Sequence, residues 1–146
     1  MTLGQTIPAL PVTAVAEAVP FYESRLGFIT RFLDDAGFAI MVRDAAELHL
    51  WQSDDETWRG RAPAVLLDHP VRSGAESFIA GTASCRISLD SAAAVDDLYD
   101  ELAAAGVLHP RDHGRAVDTD FGTHEFAALD NDGNLLTFFH RATPRT

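Results

Sequence analysis

Apolar positions recur along this chain at two spacings, every second residue or every third and fourth, and the switches between them mark its elements. Residues 7–12 (IPALPV) read as a strand whose two prolines suit an edge or irregular pairing. Val15, Ala18, Val19, Tyr22 and Leu26 then fall at helical spacing over residues 15–26, with Gly27 as a stop. Pro20 is compatible with a helix near its first turn, which places the start at Val15 to Glu17. Strands are expected at 28–33, 37–43 and 46–51, joined by turns at Asp34 to Gly37 and at Asp44-Ala45. Residues 52–81 break the rhythm with Pro63, Pro70, Gly74 and Gly81. Their one apolar run, 64–67, allows a connector with a short strand or helical turn. Order resumes at 84–89, a strand. Helix 91–105 follows, capped by Asp90 or Ser91, carrying Val95, Leu98, Tyr99 and Leu102 as its stripe and ending at Gly106. Further strands are expected at 107–109, 124–129 and 135–140, the last two joined by the turn Asp130 to Gly133 with Asn134 after it.

Both halves thus run strand, helix ending at Gly, then three strands. Val12 and Leu89, and Tyr22 and Tyr99, stand 77 residues apart. The fold class is α+β: two tandem β-α-β-β-β modules forming a curved mixed sheet, packed together or paired with another chain. The expected organisation is one domain over residues 1–146, with module one at about 5–52, the connector at about 53–82 and module two at about 83–141. Alternation sends Leu10, Val12, Leu48, Leu50, Leu136 and Phe138 toward the helices. It leaves Ile7, Ala9, Glu47, His49, Trp51, Ser84, Arg86, Ser88, Leu135, Thr137 and Phe139 on the opposite faces. Faces so mixed in character suit a concave cavity rather than a second dry core.

Charge narrows the partners. The net charge is −11, and all 11 basic residues are arginines. Such a surface repels nucleic acid and anionic membranes and favours cationic partners, although an acidic surface also simply keeps a protein soluble. The one cysteine, Cys85, excludes an internal disulfide and a cysteine metal cluster, and reads as a packing residue. With no leader-like or membrane-length apolar run, the cytoplasm is the default location.

The stretch ELHLWQS (47–53) puts a carboxylate, an imidazole and an indole on one strand face. From this alone a metal site, a catalytic site and a binding wall are all open. No glycine-rich phosphate loop follows a strand, and no serine sits in a nucleophile elbow. His109 and His113 are four apart, but Pro110 and Gly114 make their segment a polar loop. Asp54, Asp55 and Glu56 precede Trp58 and Arg59. The run reads either as a solvated loop or as a negative rim beside an aromatic platform for a planar cation.

The segments AVPFYESRLGF (18–28), AELHLW (46–51) and FGTHEFAALDNDGNLLTFF (121–139), with the duplicated layout, resemble the glyoxalase / bleomycin resistance / extradiol dioxygenase superfamily over about residues 7–140. Within it the chain looks most like the bleomycin resistance proteins. Those are small acidic binders that form homodimers and sequester a cationic glycopeptide in grooves between subunits. In the catalytic branches, metal ligands occupy one position in the first and one in the fourth strand of each module. The resemblance carries these onto Ile7, His49, Ser84 and Thr137, where only His49 is a good ligand for a divalent metal. It therefore implies no metal, no cofactor and no catalysis, unless Glu47 or Glu125 joins His49 through a bulge. The ligand-binding residues expected are Phe38, His49, Trp51, Asp54, Asp55, Trp58, Phe121 and Thr137. Phe121 stands where the bleomycin resistance proteins commonly carry Trp. The implied function is non-catalytic sequestration of a cationic, partly aromatic small molecule, most simply a bleomycin-type antibiotic, by a symmetric homodimer. The alternatives are a binding or immunity protein for another metabolite, and a metalloenzyme with atypical ligands.

Overall fold

The computed structural model describes residues 1–53, 75 and 78–141. Module one comprises β1 (Ala9–Val12), α1 (Val15–Arg25), β2 (Ile29–Leu33), β3 (Phe38–Arg43) and β4 (Ala46–Gln52). Module two comprises β5 (Ser84–Ser88), α2 (Ala92–Ala105), β6 (Val117–Asp118), β7 (Thr123–Leu129) and β8 (Leu135–Arg141). Each builds its own four-stranded mixed sheet, in the orders β1-β4-β3-β2 and β5-β8-β7-β6. The first strand of each pairs in parallel with the fourth, and β1 is an edge, which is where its prolines are tolerated.

Sequence and structure differ at four places. β1 starts at Ala9, so Ile7 lies outside the ladder, and Ala9 is the residue opposite His49. Likewise Arg86, not Ser84, stands opposite Thr137. Pro20 lies inside α1, beyond its first turn. The cost is confined to the solvent side, because Pro20 and Ala16, whose carbonyl loses its helical donor, are both exposed. The strand expected at 107–109 is a single bridge between Leu108 and Ala128, while the second strand of module two is β6.

The helices seat as their stripes require. Ser91 caps α2 by accepting from the Ala94 N–H at 3.0 Å, and Gly106 closes it at φ 73°. Tyr22, Leu26, Leu48, Leu50, Leu102 and Leu136 are among the fully buried residues of one core shared by both modules.

Polar contacts tie the modules together. Asn134, fully buried, donates to the Pro11 carbonyl at 2.9 Å and to Asp130 Oδ2 at 2.8 Å, and accepts from the Ala83 N–H at 3.0 Å. The Tyr22 hydroxyl donates to Asp130 Oδ2 at 2.8 Å. Burial, then the nearby Asp130 carboxylate, pushes the Tyr22 hydroxyl well above its ordinary pKa. Arg25 Nη1 donates to the Ala105 carbonyl at the end of α2, 2.6 Å away. Arg43 forms a two-pronged pair with Glu101 at 2.7 and 3.0 Å. The chain leaves module one where the Ser53 N–H donates to the Val12 carbonyl at 2.7 Å. It re-enters where the Gly81 N–H donates to the Pro11 carbonyl at 3.2 Å, so two consecutive carbonyls of β1 hold both ends.

Candidate functional site

The sheet face of module one turned away from α1 carries the expected residues in register. Phe38 pairs with Trp51, Ile40 with His49 and Val42 with Glu47. All six are half-buried, while the alternating Ala39, Met41, Leu48 and Leu50 are buried against the helix. Phe38 is the hub. Its ring centroid lies 4.6 Å from Trp51, 5.1 Å edge-on from His49 and 6.0 Å from Phe32. Phe32, not expected as a site residue, joins because β2 has a register irregularity between Thr30 and Phe32. Alternation alone would not have placed it.

Glu47 is engaged rather than free. It accepts from His49 Nε2 at 2.9 Å and from Arg31 Nη2 at 2.6 Å. The His49 hydrogen bond, with Arg31 beside it, holds the Glu47 carboxyl below its ordinary pKa.

Module two presents a related face. Arg86 lies 4.6 Å from the Phe139 ring centroid and donates to Glu125 Oε2 at 2.6 Å. Partial burial pushes Glu125 up, but Arg86 and the Thr123 hydroxyl outweigh it and leave the carboxyl below its usual range. Thr137, 8% exposed, lines a cavity of about 190 Å³ beside Glu125 and the 109–115 loop. Phe121 lies in the turn before β7 and is half exposed. The structure therefore gathers Phe38, His49 and Trp51, and places Thr137 and Phe121 on the other module. Asp54, Asp55 and Trp58 lie outside the described residues.

The donor set does not fit a metal. Opposite His49 and Thr137 stand Ala9 and Arg86, neither of them a ligand, and Ile7 and Ser84 are no better. His49 Nε2 is committed to Glu47, and Glu125 to Arg86 and Thr123. Among the described residues no group of three or more His, Cys, Asp or Glu could hold a metal ion.

Residues 3–138 match the sequence model of the Glyoxalase/Bleomycin resistance protein/Dioxygenase superfamily. The chain belongs to that superfamily. Bleomycin resistance proteins from Geobacillus stearothermophilus and Staphylococcus aureus are 42% identical to it over 137 residues, covering 94% of this chain and 96% of theirs. Among solved structures, a bleomycin resistance determinant encoded on transposon Tn5 superposes with a TM-score of 0.65 at 25% identity, covering 97% of this chain and 100% of that one. A bleomycin-binding protein complexed with bleomycin gives 0.64 at 25% identity, covering 94% and 98%. The 42% identity over nearly the full length places the chain on the bleomycin-resistance side of the superfamily.

Proposed function

We propose that the protein binds and sequesters a bleomycin-type glycopeptide, without breaking a bond. The observation that carries this is the Phe32–Phe38–Trp51 cluster with His49 on an open sheet face that, among the described residues, has no metal-ligand set. The identity to curated bleomycin resistance proteins supports it. Affinity comes from removing aromatic ligand surface from water against Phe38 and Trp51. Cation preference comes from the field of the whole molecule, net −11, because the described carboxylates of the open faces, Glu47 and Glu125, are already paired with arginines. The acidic residues Asp54 and Asp55 and the ring of Trp58 belong to the same proposal.

The working unit is a homodimer in the cytoplasm. Ile29, Phe32 and Leu33 of strand β2 are 68, 47 and 53% exposed. An edge strand so apolar is suited to cover by a second copy. No described helix is long and apolar enough to cross a membrane.

Titration calorimetry with metal-free and copper(II)-loaded bleomycin tests the reading. We expect saturable binding with one equivalent per chain, weakened about tenfold by Trp51→Ala. No heat at tens of micromolar ligand overturns it.

A further inference from the structure

We propose that the protein has a second small-molecule site, a cleft between its modules that takes an organic ammonium or guanidinium ion with an apolar body. The cleft has a volume of about 550 Å³, within the usual range for small-molecule pockets of roughly 300–1,000 Å³. It is remote from the aromatic face. It opens beside the β3–β4 turn and the junction of β5 with α2, whereas the connector joins the opposite ends of β4 and β5.

Its floor is apolar: Phe28 from module one, with Leu89, Leu98 and Phe138 from module two. Its one lining guanidinium, Arg43, is committed to Glu101 and to the Leu26 carbonyl at 2.7 Å. What remains at the mouth is negative. Asp44, Asp90 and Asp97 are exposed and line the cleft, and their carboxylates have no hydrogen-bond or ion-pair partner among the described residues. An apolar floor under three uncompensated carboxylates complements a hydrophobic cation and rejects an anion of the same shape. The site is independent of the sequestration reading, since Phe32, Phe38, His49, Trp51 and Thr137 are not among the residues that line it.

The test is calorimetry of the full chain with 4-phenylbutylamine, 4-phenylbutanol and 4-phenylbutyrate, which share a body and differ in charge. The amine is expected to bind about tenfold more tightly than the alcohol, with the carboxylate weakest, and molar salt should close the gap. Asp97→Lys should weaken the amine about tenfold while leaving the alcohol unchanged, and Leu98→Trp should fill the cleft and abolish binding of all three. Asp97 is an exposed helix residue, so the first variant keeps the test alive if the second does not fold. Bleomycin titrations should be unchanged in Asp97→Lys. Equal affinities for amine and alcohol, amine binding unmoved by Asp97→Lys, or a changed oligomeric state in that variant overturns the proposal; the last would assign the cleft to a second copy.

Discussion

Replacing Tyr22 with Phe removes one oxygen from the centre of the molecule and nothing else. The ring stays in contact with Phe28 at 5.8 Å, so packing is conserved. The lost bond is the 2.8 Å donation to Asp130 Oδ2, made between modules where Tyr22 is fully buried and Asp130 is 6% exposed. A hydrogen bond to a charged partner contributes roughly 1.5–3 kcal/mol. Asp130 keeps three other donors, the Asn134 and Asp132 N–H groups at 2.9 Å each and Asn134 Nδ2 at 2.8 Å. It is not stranded, which sets the expected loss at about 2 kcal/mol. Urea unfolding followed by tryptophan fluorescence and far-UV circular dichroism should show the midpoint lowered by roughly 1 M at unchanged slope. A double-mutant cycle with Asp130→Asn isolates the pair and should give a coupling of at least about 1 kcal/mol. A midpoint shift below about 0.2 M, or additivity within about 0.3 kcal/mol, would refute the reasoning and mean that the Tyr22–Asp130 bond adds nothing to the union of the two modules.

Gly81→Ala should destabilise by about 2–4 kcal/mol in the same assay. Its φ is +80°, and an added Cβ would lie 2.0 Å from the Asp132 carbonyl oxygen. His124 lies between Asp96 at 2.7 Å and Asp118 at 2.8 Å, one carboxylate on each ring nitrogen. The Asp96 hydrogen bond, then Asp118, raises its pKa above 6.5 against a smaller desolvation effect. A folded pKa above the unfolded one stabilises most below about pH 6.5 and is lost as pH rises through the folded value. The wild-type urea midpoint should therefore fall relative to that of His124→Gln between pH 6 and 9, the two curves converging at the alkaline end, with parallel curves as the contrary result. Burial, helped by Asp130, pushes the Cys85 thiol up to about 11. Iodoacetamide at pH 8 should accordingly label native protein far more slowly than protein in urea, and equal rates would contradict it.

The parts legible in the sequence are those governed by short-range periodicity. The alternation in AELHLW places Leu48 and Leu50 inside and Glu47, His49 and Trp51 outside. The Ser91 cap and the Gly106 stop bound α2 where residue chemistry says they should. β6 was not legible because two residues, Val117 and Asp118, carry no alternation. They form a strand only because the edge of β7 offers a ladder. Ile7 has the composition of a strand residue, but the ladder begins at Ala9, just past Pro8, which has no N–H to offer β4. Asp130 and Asn134 read as turn formers. Their burial depends on Tyr22 and Pro11, more than 100 residues earlier in the chain, and no local pattern carries that. Phe32 escaped for the related reason that a register irregularity reverses its face.

The two consecutive carbonyls of β1 that receive Ser53 and Gly81 have an evolutionary consequence. Ser53 and Gly81 are held there by backbone atoms, which no substitution but proline removes. The pairing of β1 at these two points therefore does not depend on a side chain of either residue. Mutation at Ser53 can then change the side chain while the backbone clasp persists, whereas Gly81 has no room for one.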